Sequence, residues 1–342
     1  MGKKDILAAT LYKSGFLALK KYMCRTNRLH ILAYHRIANY GLDYQFDEHL
    51  ISATPEEFEW QISYLKSNYN IVSFKDVIQT LAKHGELPQR AVIVTFDDGF
   101  YDNYEIAYPL LIKYKVPATF FITTGYINKR HLFWFDQCAY ICKKISTKLV
   151  LYGAKHNKLY TIDNRITKCG DPAYQLLKIM KQISNIDRLS VIDQLNKYMV
   201  NNNLVIDSDD QLNLPMSWEN IIEMHKSGQI EIGSHTVSHP ILSRLSNEEI
   251  TYELSHSKLE IEDHLGAVCT TLAYPVGGED DINDFVIQEA ERLGYKMASS
   301  YIKGGNNLNY DSNFYKLNRI HIEKETTRAR FCSMLEFPHL FG

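Results

Sequence analysis

Short strand-like runs alternate with helical patterns along most of the chain. Ala91–Phe96 is a continuous apolar run of strand length, and Ala118–Ile122 is a second strand-like run. Runs of this kind are typical of parallel strands that are buried on both faces. Further strand-like runs lie at residues 31–34, 230–232, 271–274 and 295–299. The alternation predicts a parallel α/β architecture, and a barrel or barrel-like sheet is the arrangement we expect.

The helical patterns carry recognisable start and stop signals. Ser246 and Glu249 form a capping box before an apolar-periodic stretch, which Gly266 closes. Residues 131–214 break the alternation and contain two helix-like stretches, 173–183 and 189–200. We interpret this segment as a helical insertion within a catalytic domain that spans residues 29–342. The insertion either has a structural role or forms one wall of a substrate cleft.

The first 28 residues form a basic amphipathic arm. They contain seven lysines and arginines against the single acid Asp5, with apolar residues at roughly helical spacing. Such an arm either packs on the domain or lies on an anionic membrane surface. It is a poor signal peptide, because Lys13 interrupts the apolar run and no small-residue cleavage site follows.

Composition narrows the function classes. The net charge of -2 and the pI of about 6.7 give no global reason to expect nucleic acid binding. The six cysteines include no C-x-x-C pair, which suits free thiols in a reducing compartment. We therefore expect a cytoplasmic protein, with the arm as its only candidate for peripheral membrane contact.

Two adjacent carboxylates follow the buried run. Asp97 and Asp98 lie in Thr95-Phe96-Asp97-Asp98-Gly99, at the point where side chains face the ligand crevice of parallel α/β folds. Adjacent carboxylates repel each other, so a positive partner such as a metal ion is expected. The alternative is that Asp-Asp-Gly is only a good turn sequence.

Two histidines follow another predicted strand. His235 and His239 are four residues apart, and we expect them to project from one face of a helical turn. Together with Asp98 they make a set of three ligands, which leaves metal positions open for water and substrate. This composition predicts a catalytic site with one divalent transition metal, and zinc is the metal that we expect. Asp97 would then take a proton from the water.

A third motif is the strand-to-turn segment that runs from Leu272 through Tyr274 and Val276 to Gly278. Such a turn can aim a backbone N–H at a developing oxyanion. An ordinary strand-end turn is the alternative.

In order along the chain, T-F-D-D-G, S-H-T-x-S-H-P and the tyrosine-proline-glycine turn resemble the polysaccharide deacetylases of carbohydrate esterase family four, the nodulation-deacetylase homology domain. The resemblance covers roughly residues 29–130 and 216–325. It implies a distorted (β/α) barrel of about seven strands. It also implies Asp97 as general base, Asp98, His235 and His239 as ligands, and the Val276 amide as oxyanion donor.

The chain departs from the most familiar pattern of this family in two places. Ala273 stands where many members carry an arginine that orients the base, and no clear L-x-H motif supplies the acid that protonates the leaving amine. His35 is the candidate acid, since Tyr34-His35 resembles a motif of the biofilm-type poly-N-acetylglucosamine deacetylases, and His321 is the runner-up. Arg319 or Arg36 would replace the missing arginine.

The resemblance implies an N-acetylated sugar as the substrate, either in a surface glycan or in a lipid-linked precursor. The candidate substrate contacts are Tyr274, Trp134, Trp218 and Arg319, with core packing as the alternative for the tryptophans. A catalytically silent carbohydrate-binding protein of the same fold is the other function that we keep open. A two-metal phosphoesterase would need a second ligand cluster, which the sequence does not offer.

Overall fold

The computed structural model describes residues 2–23, 28–41, 44–129, 131–145, 148–154, 159–162, 172–204, 208–309 and 312–341. The strands are β1 (Arg28–Tyr34), β2 (Arg36–Ile37), β3 (Ile51–Ala53), β4 (Asn70–Ile71), β5 (Ala91–Phe96), β6 (Ala118–Ile122), β7 (Leu149–Tyr152), β8 (Leu159–Ile162), β9 (Ile230–Ser234), β10 (Thr271–Ala273), β11 (Met297–Lys303), β12 (Asn306–Asn307) and β13 (Leu317–His321). The α-helices are α1 (Lys3–Lys13), α2 (Phe16–Met23), α3 (Pro55–Asn68), α4 (Phe74–Ala82), α5 (Tyr108–Tyr114), α6 (Trp134–Lys144), α7 (Pro172–Gln182), α8 (Asn185–Asn201), α9 (Trp218–Lys226), α10 (Asn247–Leu265), α11 (Asp284–Arg292), α12 (Arg328–Glu336) and α13 (Pro338–Phe341).

Seven parallel strands close into a barrel in the order β1, β5, β6, β9, β10, β11, β13. The barrel closes because β1 pairs on one side with β5, where Ile31 lies opposite Ile93, and on the other with β13, where Leu32 lies opposite Ile320. The short strands β4 and β12 add to the edges of this sheet. The predicted α/β barrel of about seven strands is confirmed.

The barrel strands are covered on both faces. In β5, Val92, Val94 and Phe96 pack in the large apolar cluster that includes residues of α3 and α5, whereas Ala91 and Ile93 join a second cluster. Successive side chains of a strand point to opposite faces, so this division is what a strand buried on both sides requires. The uninterrupted apolar run in the sequence has this cause.

Helix boundaries follow the capping signals. The Ser246 hydroxyl accepts a hydrogen bond from the Glu249 N–H, the Glu249 carboxylate accepts one from the Ser246 N–H, and Gly266 ends α10 with a left-handed φ of 61°. A cap of this kind stabilises a helix by about 1 kcal/mol. The prediction is less accurate for β11, which begins at Met297 because the N–H of Tyr295 still bonds to Ala290 O behind α11.

The segment between β6 and α9 contains α6, the β7–β8 hairpin, α7 and α8. These elements share an apolar cluster, which Phe100 joins from the barrel side. The fully buried Arg36 donates hydrogen bonds to Asp136 on α6 and to the Asn213 side chain. These charge-assisted bonds tie the insertion to the barrel, next to the end of β1.

Helices α1 and α2 of the basic arm pack against α12. Ala8 and Leu17 are buried, and Asp5 pairs with Arg330 at 3.7 Å. Other apolar residues of the arm stay exposed, namely Ile6, Leu7, Tyr12, Phe16 and Leu19. The end of the arm, residues 24–27, lies outside the described residues. None of the described helices has both the length and the apolarity that crossing a bilayer requires.

Four of the six cysteines can be placed in the fold. Cys138, Cys142, Cys269 and Cys332 are buried, and none of them forms a disulfide. Cys24 and Cys169 lie outside the described residues, so the expectation of free thiols stays a prediction for them.

Candidate active site

Asp97 directly follows β5 and is held by a buried arginine. Its Oδ1 accepts a hydrogen bond of 2.7 Å from Arg319 Nη1. Burial alone would raise the pKa of Asp97, but the positive charge and hydrogen bond of Arg319, with help from His235, hold the pKa below its usual value. Asp97 is therefore ionised at neutral pH, as a proton acceptor must be.

Arg319 is placed to orient Asp97, which is one of the two roles that the sequence suggested for it; the other, a contact with substrate, stays a prediction. Although it borders the cavity, its side chain is fully buried, and its Nε donates to Ser300 O at 2.7 Å. Arg36, the other candidate for the missing arginine, pairs instead with Asp136 and Asp102. The positive partner of Asp97 is thus an arginine from β13, a strand that β1 separates from β5 in the barrel.

Asp98, His235 and His239 meet at the carboxyl ends of β5 and β9. Their ligand atoms all lie within 4.8 Å of one another, and all three residues are buried. Asp98 Oδ1 lies 3.5 Å from His235 Nε2 and 3.3 Å from His239 Nε2. This oxygen has no hydrogen-bond partner among the described residues.

The protonation of this cluster fits a cation. His235 Nδ1 lies 2.7 Å from Ala273 O, so the proton on Nδ1 leaves the Nε2 lone pair facing Asp98. Burial lowers the pKa of His235, and burial together with Arg188 and Lys181 lowers that of His239 to about 3. A buried carboxylate oxygen and two imidazole lone pairs repel each other unless a positive charge lies between them, so the donor set suits a divalent metal.

The two histidines do not project from a helical turn, and that prediction was wrong. Residues 235–240 form an irregular loop in which Thr236 and His239 have positive φ values of 68° and 53°. Glu253 on α10 holds the loop by accepting hydrogen bonds from the N–H groups of Val237 and Ser238 at 2.8 and 2.9 Å. These tertiary contacts, rather than helical periodicity, bring the two imidazoles together.

His35 follows β1 and lies beside Asp97. Its Nε2 is 3.9 Å from Asp97 Oδ2, and its side chain is 15% exposed. Burial lowers the pKa of His35, while the charges of Asp98 and Asp97 work in the opposite direction. Of the two histidines that the sequence suggests as the acid, His35 is therefore the one that lies beside Asp97.

His321, the other candidate acid, lies behind Tyr301. The two rings stack with centroids 3.4 Å apart, and His321 is buried away from the cavity. Burial, with Arg319 and Lys303 nearby, lowers the pKa of His321 to about 2. Tyr301, which no sequence motif marks, contacts His35 edge to face on its other side and borders the cavity.

The turn after β10 lines the cavity opposite these groups. Val276 has a left-handed φ of 60°, and its N–H makes no hydrogen bond to the residues that the structure describes. A free amide at this edge can donate to an oxyanion. Tyr274 borders the cavity too, but it is almost fully buried and its hydroxyl donates to Tyr315 O at 2.9 Å.

The two tryptophans occupy different places. Trp134 lines the cavity, and its Nε1 donates to His239 O at 3.2 Å, so it supports a ligand residue. Trp218 lies outside the cavity, where it stacks on His264 with ring centroids 3.8 Å apart. The assignment of Trp218 to substrate binding was therefore wrong, because its ring packs between α9 and α10.

One cavity of about 250 Å³ is bordered by the candidate catalytic and metal-binding residues and by three of the supporting ones: Asp97, Asp98, His35, His235, His239, Val276, Trp134, Tyr274 and Arg319. Residues that the sequence did not mark as site residues complete its wall: Asp47, His49, Leu50, Phe135, Leu177, Lys181 and Tyr301. Leu177 and Lys181 lie on α7, so the insertion forms part of the wall. These residues are single side chains in loops and helices and belong to no recognisable motif. The sequence alone therefore does not indicate that they lie at the site, and only the fold brings them there.

Comparisons with known proteins agree with this geometry. The family model for polysaccharide deacetylases matches residues 84–169 and 187–298. YxkH of Bacillus subtilis (strain 168), which bears the same family's name, is 23% identical over 310 residues, 90% of this chain and 76% of YxkH.

A staphylococcal relative is more similar over a shorter segment. Poly-beta-1,6-N-acetyl-D-glucosamine N-deacetylase of Staphylococcus aureus (strain MSSA476) is 36% identical over 121 residues, which make up 33% of this chain and 41% of the relative. The match thus spans about two fifths of that relative's length.

A solved structure shares the fold. The Streptococcus pyogenes deacetylase PplD, solved in complex with acetate, superposes with a TM-score of 0.57 at 21% identity, covering 91% of this chain and 99% of PplD. The family model matches more than half of the chain, and the matched residues include Asp97, Asp98, His235 and His239. The chain therefore belongs to the polysaccharide deacetylase family.

Proposed function

We propose that this protein is a metal-dependent N-deacetylase that hydrolyses the acetamide of an N-acetylated sugar in a surface glycan or its precursor. The observation that carries the proposal is the convergence of Asp97, the Asp98-His235-His239 cluster and His35 in one cavity. The relative from Staphylococcus aureus, named for poly-beta-1,6-N-acetyl-D-glucosamine, supports a polymer of N-acetylglucosamine as the substrate class.

The side chains divide the hydrolysis among them. Ionised Asp97 accepts a proton from water as the water oxygen bonds to the acetyl carbon. The Val276 N–H donates a hydrogen bond to the oxygen that becomes negatively charged. Protonated His35 gives its proton to the sugar nitrogen as the C–N bond breaks, which releases acetic acid and leaves the amine on the sugar. Asp97 then passes the proton taken from water back to His35, which lies beside it.

Asp98, His235 and His239 would hold one divalent ion. We propose zinc, because two imidazoles and one carboxylate are a typical donor set of catalytic zinc sites. When bound, such an ion polarises a carbonyl and lowers the pKa of water in the site.

A catalytically silent carbohydrate-binding protein is the alternative that the sequence leaves open. A binding protein needs no ionised, buried carboxylate with a dedicated arginine, and holding such a charge away from water is costly. The retention of Asp97 with Arg319, at 2.7 Å, therefore supports catalysis.

Acetate release tests the proposal directly. We expect acetate from oligomers of N-acetylglucosamine, loss of release after chelation, and recovery when zinc is added back. The variant His235→Ala should bind metal much more weakly, and zinc should not restore its activity. The proposal is wrong if the chelated protein keeps its activity, or if His235→Ala and His239→Ala bind metal as tightly as the parent.

We also propose that the arm makes peripheral contact with anionic membranes, which would bring a lipid-linked precursor within reach. Its support is the exposed apolar set that includes Leu7 and Leu19, with lysines in the same two helices, whereas Ala8 and Leu17 are buried. The full chain should sediment with anionic vesicles at low salt, and Leu7→Glu with Leu19→Glu should abolish sedimentation. Equal sedimentation of the parent and the double variant would contradict the contact.

A further inference from the structure

One wall of the cavity lies outside the family match. The family model leaves out residues 170–186, and α7 falls within this gap. Leu177 and Lys181 of α7 nevertheless border the cavity, beside the metal-ligand cluster. This part of the wall therefore lies outside the pattern that the family model describes, and it is a place where substrate selection can be built.

Tyr174 extends the α7 wall outwards. It lies three residues before Leu177 and seven before Lys181, so the three side chains share one face of the helix. Tyr174 is 57% exposed, whereas its neighbours Ala173, Leu176, Leu177 and Met180 on α7 pack into the insertion. The core of the insertion does not require an aromatic ring at this position.

His49 meets Tyr174 from the other side of the cavity mouth. It lies in the 3₁₀ turn Glu48–Leu50, where the Asp47 carboxylate accepts a hydrogen bond from the His49 N–H at 3.0 Å. The His49 and Tyr174 ring centroids are 6.1 Å apart with the planes at 63°. An edge-to-face pair covers only one face of one ring, so the other faces remain open to a ligand.

The chemistry of this rim matches a pyranose ring. A sugar presents a flat array of C–H groups, which packs on aromatic faces, and hydroxyl groups around its edge, which need donors and acceptors. The Tyr174–His49 pair supplies aromatic surface, while Asp47 and Lys181 supply polar groups next to it. Because His49 also borders the cavity, this surface continues directly from the reaction site.

We propose that Tyr174 and His49 form a second sugar subsite, which binds the pyranose ring next to the one that loses its acetyl group. This inference rests on the proposed deacetylase function and deepens it. The substrate is then an oligomer or polymer, since Tyr174 does not border the cavity and a single N-acetyl sugar at the reaction site leaves its ring without a ligand.

The test compares a β-1,6-linked N-acetylglucosamine pentamer with free N-acetylglucosamine. For the pentamer, Tyr174→Ala should lower kcat/KM by about threefold to tenfold, as expected for one aromatic contact, and Tyr174→Phe should recover most of it. For the monosaccharide neither change should matter. Tyr252 is the matched control: it is a similarly exposed tyrosine, paired with His256 on α10 and outside the cavity.

Binding separates the subsite from the chemistry. Calorimetry should show weaker pentamer binding to Tyr174→Ala and to His49→Ala than to the parent or Tyr252→Ala, whether or not acetate is released. Equal pentamer binding by the parent and Tyr174→Ala would overturn the subsite. Absence of acetate release together with a Tyr174-dependent loss of binding would instead overturn the deacetylase function alone.

Discussion

The two sides of the cavity differ in how the chain builds them. One side lies within the residues that the family model matches, and we name it the matched side: Asp97, Asp98, His235, His239 and Val276. The other comes from segments outside that match, and we name it the unmatched side: His35, His49, Leu177, Lys181, Tyr301 and Arg319.

The division separates two kinds of task. In the proposed function, the matched side supplies the proton acceptor, the ligand set and the oxyanion donor, which would act on water and the acetyl group. The unmatched side supplies the candidate proton donor, the arginine that orients Asp97, and the rim that would contact the rest of the sugar. In the proposed function, the groups that act on water and the acetyl oxygen thus follow short motifs, whereas the proton donor, the orienting arginine and the sugar contacts come from segments that are distant in the sequence.

The largest effect is expected from the matched side. Asp97→Asn should lower kcat for acetate release by about 10²- to 10⁴-fold, because an amide cannot accept the proton from water. Metal content should stay close to one ion per chain, whereas Asp98→Asn should lose metal as well as activity. Metal analysis and turnover, measured on the same preparations, check both. Unchanged turnover in Asp97→Asn would remove Asp97 from the mechanism.

The next test asks whether the unmatched side supplies the proton donor. His35→Ala should retain the metal and lower kcat on the acetamide by about 10²-fold or more, since the amine must be protonated to leave. On an aryl acetate, whose leaving group needs no proton, the loss should be much smaller. Equal losses on the two substrates would show that His35 acts in some other way.

The sequence predicted the matched side well because its residues follow strands that are themselves recognisable. β5 and β6 have the predicted bounds, and Asp98, His235 and His239 form one cluster. The helical turn between the histidines was wrong because Glu253 fixes the loop through contacts with another element.

The sequence suggested His35 and Arg319 for the unmatched side, but it could not choose between them and their alternatives, His321 and Arg36. Arg319 lies 222 residues from Asp97, and no local pattern reports such a pairing. Trp218 was misplaced for a related reason. An aromatic residue on an amphipathic helix gives the same sequence pattern whether its ring faces a cavity or a neighbouring helix. Tyr301 and Tyr174 carry no motif, so only the closed barrel and the insertion position them.

Arg319 links the two sides, and a smaller effect is expected from changing it. Arg319→Lys keeps the charge near Asp97 but loses the geometry of the 2.7 Å bond and the contact with Ser300 O. We expect kcat to fall about 10- to 100-fold, as for other outer-shell partners, with little change in KM. Arg36→Lys is the matched control, because Arg36 is equally buried but pairs with Asp136. It should lower thermal stability more than turnover, and the reverse pattern would mean that the two arginines have exchanged roles.

The smallest effect concerns His321, the histidine of β13 that lies behind the unmatched side. Burial lowers its pKa in the folded protein to about 2, whereas an unfolded histidine titrates near 6.5. Below pH 6.5 His321 is therefore protonated in the unfolded chain but stays neutral in the folded protein. As a result, this residue makes the free energy of unfolding fall as the pH falls. This loss of unfolding free energy is absent above pH 6.5 and grows by at most about 1.4 kcal/mol per pH unit down to the folded pKa.

His321→Phe, which keeps a ring against Tyr301, should flatten the decline of the unfolding free energy between pH 6 and 4, measured by urea denaturation. It should retain most of the acetate release that His35→Ala loses. If His321→Phe instead abolished turnover and left the pH dependence of stability unchanged, His321 rather than His35 would be the proton donor.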